Sequence, residues 1–278
     1  MKHAGKRALS ALLSLSLMVG LFAGVTLPAS AADLTAAGGE LSEGEYTLAN
    51  NITLTNNLVI NSAVTIDLGT YTLTGTGTGS VITVNSGGSL TLEGMGTITG
   101  GKIVSGTQSA WKLGAGVTVD GGTFIMNGGT ISGNVTEEGG AAGGVNVANN
   151  GNFTMNGGSI SQNTGIGLNV TGATATINTG ASISGNETLT DGSGAGVHVI
   201  GNGTVTLAGG TISGNTADVD GGGVYVASAG TLIMQSGTIS GNNANNGAGV
   251  YVSENGTFTM SNGEIKNNTA TENGGGVN

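Results

Sequence analysis

The chain has 278 residues and a formal net charge of −10, with 16 acidic and six basic side chains. It contains 57 glycines, one proline and no cysteine, which excludes disulfide bonds and a lipid-anchored cysteine. The excess of acidic residues disfavours nucleic acid and anionic membranes as partners, since both would be repelled.

The first 31 residues have the pattern of a secretory signal peptide. A basic start, Lys2 to Arg7, precedes a largely apolar segment from Ala8 to Val25, and Ala29-Ser30-Ala31 forms a small-residue cleavage site. A membrane anchor is the alternative, and the cleavage site disfavours it. We therefore expect 1–31 to be a signal peptide and 32–278 to form one secreted or cell-surface domain without an integral membrane span. The three lysines and 16 acidic residues of 32–278 give that domain a net charge of −13.

Short stretches of alternating apolar and polar residues begin near Tyr46 and predict β-strands. Val81–Val84, Leu90–Leu92 and Thr97–Thr99 form a first group of three such stretches. The same order of three returns throughout the later sequence, so we expect these early strands to belong to the same architecture.

The longest insertion in the repeating region runs from Gly100 to Gly116 and carries Trp111, the only tryptophan, beside Lys112. A tryptophan near lysines could bind an acidic glycan. A hydrophobic plug beneath a long loop is the other interpretation.

From Gly116 onward the chain repeats one pattern about every 27 residues. Its first strand is centred on equivalent positions separated by 28, 23, 29, 27, 26 and 27 residues: Val117, Val145, Leu168, Val197, Val224, Val250 and Val277. A period of this length is typical of a solenoid, in which each unit buries its apolar side only against neighbouring units. We expect an all-β parallel solenoid of about nine to ten rungs.

Two of the three corners in each repeat have nearly constant length, and the third varies. From the isoleucine of the third strand to the central residue of the next first strand, the residue number rises by 14, 8, 14, 12, 11 and 12. Insertions are tolerated where they do not disturb strand stacking, and binding residues are often found in such loops.

An asparagine stands three residues after the isoleucine of each repeat. Its amide can both donate and accept hydrogen bonds, and asparagine tolerates left-handed turns. Stacked about 4.8 Å apart, as paired strands are, these amides would form a structural ladder, although a row of metal or sugar ligands is an alternative. The six positions are Asn134, Asn163, Asn186, Asn215, Asn242 and Asn268.

Acidic residues concentrate in the variable corners. Asp191, Asp218 and Asp220 are the candidate catalytic residues if the protein is an enzyme, and with Glu187 they are the candidate metal ligands. Ca²⁺ is the cation such oxygen-rich loops would hold. Turn formation and solubility explain the same residues without any cofactor.

One outward position of the first strand becomes aromatic along the chain, ending in His198, Tyr225 and Tyr251 after Asn146 and Asn169. Such a row could bind sugars, although aromatic residues also suit exposed strands. Thr-x-Thr pairs, such as Thr204 with Thr206, resemble those of ice-binding solenoids, but strand preference explains most of them.

These repeats resemble the right-handed parallel β-helix of the pectate-lyase-like superfamily over about residues 40–278. The phrases Gly128-Gly129-Thr130-Ile131 and Gly256 to Met260 also resemble repeats of bacterial surface proteins, including polymorphic outer-membrane proteins. The resemblance implies a right-handed coil, but it does not specify an activity, because the superfamily includes polysaccharide lyases, hydrolases and non-enzymatic adhesins.

A superfamily lyase needs bound calcium and a basic residue, commonly arginine, and 32–278 contains no arginine. That segment also has one histidine, His198, and no cysteine, so a nucleophile and its base cannot be paired. We therefore expect an adhesin-like scaffold that binds polysaccharide or host-surface glycans. A polysaccharide lyase or glycoside hydrolase is the alternative. Because the sequence stops within the first strand of another repeat, we also expect further coils beyond Asn278.

Overall fold

The computed structural model describes residues 31–105, 113–137 and 139–278. The predicted signal peptide up to Ser30, the Trp111–Lys112 pair and Glu138 lie outside these described residues. The secondary-structure elements within the described ranges are all β-strands. None of them contains a helix of the length and apolarity needed to cross a membrane.

The strands are short and rich in Val, Ile, Leu and Thr, as expected for segments that bury one face. In chain order they are β1 Ala32–Asp33, β2 Gly39–Leu41, β3 Gly44–Thr47, β4 Ile52–Thr53, β5 Leu58–Ile60, β6 Ala63–Asp67, β7 Thr72–Thr74, β8 Ile82–Asn85, β9 Ser89–Glu93, β10 Thr97–Thr99, β11 Lys102–Ile103, β12 Val117–Asp120, β13 Thr123–Met126, β14 Thr130–Ser132, β15 Val135–Thr136, β16 Ala142–Ala148, β17 Asn152–Met155, β18 Gly158–Ser161, β19 Ile166–Thr171, β20 Thr174–Ile177, β21 Ala181–Ser184, β22 Val197–Ile200, β23 Thr204–Ser213, β24 Val224–Val226, β25 Thr231–Ser240, β26 Asn243–Asn246, β27 Val250–Val252, β28 Thr257–Met260, β29 Glu264–Lys266 and β30 Thr269–Asn273.

Successive coils stack strand upon equivalent strand, always in parallel. One sheet contains nine strands in the order β2-β5-β8-β12-β16-β19-β22-β24-β27, and we call it the first sheet. Its nine strands enclose about eight full turns, slightly fewer than the nine to ten rungs expected. The parallel solenoid predicted from the repeats is confirmed.

A second sheet of 17 strands, which we call the large sheet, contains the two other strands of every coil. The second and third strands of a coil belong to one sheet because, in two coils, they are continuous through the corner between them and form the single strands β23 and β25. The register is the one that the repeats predict, with Phe124 beside Phe153 and Met126 beside Met155.

The interior is a continuous column of aliphatic side chains with two stacked aromatic rings. Val117, Val145, Val197 and the other inward residues of the first sheet from β5 to β24 have no exposed surface, whereas Leu41 and Val252 in the two end strands are partly buried. The rings of Phe124 and Phe153 stack with centroids 4.9 Å apart. Because each coil supplies only a thin apolar layer, the core exists only through stacking.

The variable corner begins with a short ladder of its own, which the repeats do not reveal. It starts with β11 paired to β15 and ends with β26 paired to β30. Parallel bridges between them link Val135, Thr164, Glu187, Thr216 and Asn243 in succession. Only the remainder of this corner, after the ladder, varies in length.

Candidate functional site

The six asparagines predicted to stack lie in one file, which we call the buried asparagine file. From Asn134 to Asn242, each Nδ2 donates to Oδ1 of the next asparagine over 2.9–3.0 Å. The same Oδ1 also accepts the backbone N–H of the preceding asparagine. The second amide hydrogen goes to a main-chain carbonyl, as from Asn186 to Ile160 over 3.0 Å.

The turn before this file explains why asparagine can enter the interior. The residue before each asparagine, and not the asparagine itself, has a positive φ, between 55° and 65°. Glycine occupies that position in four coils, as at Gly214, whereas Gln162 and Asn267 occupy it in the other two. The left-handed residue turns the chain so that the following amide points into the stack.

Glycines just before the first strands give this file the space it needs. A Cβ on Gly196 would lie 2.8 Å from Nδ2 of Asn215, and one on Gly223 would lie 2.9 Å from Nδ2 of Asn242. Neither distance is compatible with a side chain, so the glycine and the asparagine form one unit. The side-chain amides between the two ends of the file therefore make all their hydrogen bonds within the protein and leave none for a ligand.

His198, Tyr225 and Tyr251 also form a file, which we call the aromatic file. They are register partners on β22, β24 and β27. The rings of His198 and Tyr225 stack at 5.0 Å and 11°, and those of Tyr225 and Tyr251 at 5.5 Å and 4°. Because the ring faces cover one another, edges and hydroxyl groups are what this file offers to a ligand.

Amides continue the aromatic file toward the N-terminus. Nδ1 of His198 lies 2.9 Å from Oδ1 of Asn169, and Nδ2 of Asn169 donates to Oδ1 of Asn146 over 2.6 Å. Since Oδ1 can only accept, Nδ1 carries the hydrogen of the neutral imidazole. Asn146 and Asn169 are buried, although the strand pattern predicts that they point outward.

The variable corner covers these outward side chains on its return to the first sheet. A Cβ on Gly194 would lie 2.9 Å from Cβ of His198, and one on Gly221 would lie 2.8 Å from Cβ of Tyr225. The alanines beneath the corners, among them Ala195 and Ala248, form a small second core. The resulting burial lowers the pKa of His198 to about 4.

Two of the acidic candidates, Asp218 and Asp220, make hydrogen bonds that hold adjacent coils together. Oδ2 of Asp218 accepts the backbone N–H of Asp191 over 2.8 Å. Oδ1 of Asp220 accepts Nδ2 of Asn246 over 2.9 Å. The charge of Asp220, followed by burial and by Tyr225, raises the pKa of Tyr251. Glu187 forms a parallel bridge with Thr216 and lines a groove of about 320 Å³ with Asp218.

No group of three or more His, Asp or Glu side chains placed to hold a metal occurs within 31–105, 113–137 and 139–278. The structure brings Asp218 into contact with the backbone of Asp191. The asparagines of the buried file bond to one another, whereas Asp218 and Asp220 bond to a backbone amide and to an asparagine side chain of the corners.

Exposed asparagine files are a feature that the sequence reasoning missed. In each of them Nδ2 points to the preceding coil, and a carboxylate accepts the first amide, as Glu93 does from Asn127 over 3.5 Å. The signal in the sequence is an asparagine at a corner, repeated at the coil period and followed by glycine at Asn127, Asn156, Asn246 and Asn273. The files are Glu93 with Asn127, Asn156 and Asn178, Glu40 with Asn61 and Asn85, and Asp220 with Asn246 and Asn273.

No protein-family model, curated protein or solved structure matches this chain. The described residues provide stacked polar files, a polar groove and acids whose hydrogen bonds hold the corners in place.

Proposed function

We propose that the protein is a secreted or cell-surface β-helical scaffold of the adhesin type, which binds glycans or host matrix and has no catalytic activity of its own. The coil is right-handed in this proposal, as the resemblance to the pectate-lyase-like superfamily implies. Secretion rests on the predicted signal peptide, and a bacterial surface location rests on the resemblance to bacterial surface repeats.

The observation that carries the proposal is the use of the acidic side chains. A general acid or base needs a carboxyl group free to exchange a proton with substrate. Asp218 and Asp220 instead accept hydrogen bonds from Asp191 and Asn246 of neighbouring coils. These bonds favour a role in maintaining the corners over a role in catalysis.

The proposal is tested by binding and turnover assays on the same purified protein. We expect retention on a glycan or matrix-protein array, with no release of reducing ends or unsaturated products from polygalacturonate and related polymers. An array that stays empty at high protein concentration would contradict the adhesin assignment.

A polysaccharide lyase or glycoside hydrolase is the second candidate, favoured by the groove that Glu187 and Asp218 line with several threonines and asparagines. It predicts polymer cleavage that Asp218→Asn or Asp220→Asn abolishes while circular dichroism stays unchanged. It also places Ca²⁺ at the loops of Glu187, Asp191 and Asp218, so a melting temperature unaffected by calcium would count against that cation.

A further inference from the structure

The outward side of the large sheet carries two adjacent files of small, mostly hydroxyl-bearing side chains on five successive strands. We call this surface the hydroxyl face. Its strands are β13, β17, β20, β23 and β25, and each contributes two outward residues separated by one inward residue. The two files are Thr123, Asn152, Thr174, Thr204 and Thr231, and Ile125, Thr154, Thr176, Thr206 and Ile233.

Charged residues are excluded from this side of the protein. Along the large sheet no strand from β10 to β25 contains an acidic or basic residue, and the nearest are Glu93 at the end of β9 and Glu264 in β29. In the same coils Asp120 ends a first-sheet strand, and Asp191 and Asp218 lie in the variable corner. A face that served only solubility in an acidic protein would be expected to share the charge.

The hydroxyl groups of this face are also left available by the protein. Among the described contacts of the two files, only Thr174 uses its hydroxyl on a neighbour, donating to Oδ1 of Asn152 over 3.2 Å. The asparagine files behave in the opposite way, because their amides bond to one another. Hydrogen bonding within the protein therefore does not account for the hydroxyl groups of Thr176 and Thr206.

We propose that the hydroxyl face binds an uncharged polysaccharide lying along the axis of the stack. This inference rests on the proposed glycan-binding function and names the surface and the chemical class of the glycan. A threonine hydroxyl both donates and accepts, as sugar hydroxyl groups do, and the methyl groups of threonine with Ile125 and Ile233 can contact the C–H faces of sugar rings. Repetition on every coil suits a ligand that itself repeats.

The charge of the domain and the area of the hydroxyl face favour a neutral glycan over an acidic glycan or a second copy of the chain. An acidic glycan would be repelled by a domain of net charge −13, whereas a neutral glycan is not. Five strands about 4.8 Å apart and about four residues long offer roughly 300 Å². A stable protein dimer needs about 800 Å² from each partner, so a second copy of the chain is a poor fit.

The test measures depletion of the purified protein from solution by insoluble chitin and by microcrystalline cellulose, with alginate beads as the acidic glycan. We expect binding to at least one of the two uncharged polymers and not to alginate. Thr206→Val should weaken that binding about fivefold, since it removes one hydrogen bond while keeping the shape, and adding Thr176→Val should weaken it further. Thr83→Val is the matched control, because it makes the same change on an outward position of the first sheet.

Each result decides the inference once circular dichroism shows that the variants are folded. Binding weakened by the Thr206 and Thr176 variants but not by Thr83→Val supports it. Binding to glycans that these variants leave unchanged overturns the hydroxyl face while the proposed function stands. No binding to any glycan overturns both. Self-association in sedimentation that depends on Thr206 would assign the face to a second copy of the chain. Inhibition of ice growth that depends on Thr206 would assign it to ice. Either result would overturn the inference that the face binds a polysaccharide.

Discussion

At the scale of single residues, Gln162 stands where most coils have glycine, and it adopts a φ of 55°. A left-handed conformation costs a residue with a side chain about 1–2 kcal/mol in the folded protein. Glycine avoids this cost, but its greater freedom in the unfolded chain cancels part of the gain. We expect Gln162→Gly to raise the free energy of unfolding by about 0.5–1 kcal/mol in urea denaturation. Gly214→Gln is the converse control, because no atom lies within 4 Å of the Cβ it would add. Urea denaturation midpoints that neither substitution changes would contradict this expectation.

His198 predicts a pH dependence of stability. Its pKa is about 4 in the folded protein and about 6.5 in an unfolded chain. Between these values the unfolded chain binds a proton that the folded protein does not, so stability should fall as the pH decreases from about 6.5 to 4. The loss attributable to this residue is at most about 3–4 kcal/mol.

The contribution of His198 is measured as the difference between the wild-type protein and His198→Asn across that pH range. Asparagine suits the position because Asn169 and Asn146 precede it in the same file. We expect the stability curve of the variant to be flatter above pH 4. Curves that run parallel would show that protonation of His198 does not oppose folding.

At the scale of structural elements, the buried asparagine file should be far more important than the exposed ones. Asn186→Ala would remove the acceptor for the backbone N–H and one Nδ2 hydrogen of Asn163, and it would remove the donor to Oδ1 of Asn215 and to the carbonyl of Ile160. Each unsatisfied buried group costs about 1–3 kcal/mol, so we expect a loss of about 3 kcal/mol or more.

Asn156→Ala is the matched control for Asn186→Ala, because it removes the same amide from an exposed file between Asn127 and Asn178. Water replaces its hydrogen bonds, and we expect a loss below about 1 kcal/mol. Equal losses in chemical denaturation would mean that burial does not distinguish the two files.

The repeats were sufficient to predict the parallel stacking and the partners of the repeated strands in the first sheet and the large sheet, but not the short ladder of the variable corner. The period from Val117 to Val277 sets which residues lie beside one another, and alternation sets which of them face the core. The position of His198 in the file also follows from this period. Its burial does not, because it depends on how Gly194 folds back over it, and a corner of variable length carries no periodic signal.

The roles of the acids could not be predicted for a similar reason. Asp218 and Asp220 are separated by one residue, yet one bonds to the backbone of Asp191 and the other to the amide of Asn246. Which partner each finds depends on the path of the corner in the neighbouring coil, the preceding one for Asp218 and the next one for Asp220. The exposed asparagine files were predictable in principle, since Asn127 and Asn156 occupy equivalent positions.

At the scale of the whole molecule, charge opposes folding. Residues 32–278 carry a formal net charge of −13, and Lys102 is paired with Glu137 over 2.8 Å, which lowers the pKa of that carboxyl group. Lys266 is paired with Glu264. We expect the melting temperature to rise between 10 and about 150 mM NaCl, because salt shortens the range of repulsion from about 30 to 8 Å. Sucrose at equal osmolality is the control, and a melting temperature that falls with NaCl would indicate that the ion pairs dominate.

The similarity of the contacts at successive junctions has a consequence for how this protein can change length. Val224 and Val250 are equivalent, and so are Asn242 and Asn268, so excising the segment from Val224 to Gly249 would join two compatible surfaces. Gene duplication or loss of such a module would lengthen or shorten the molecule by about 4.8 Å without redesigning any neighbour. The length of the stack would thus increase in steps of one coil with the number of modules.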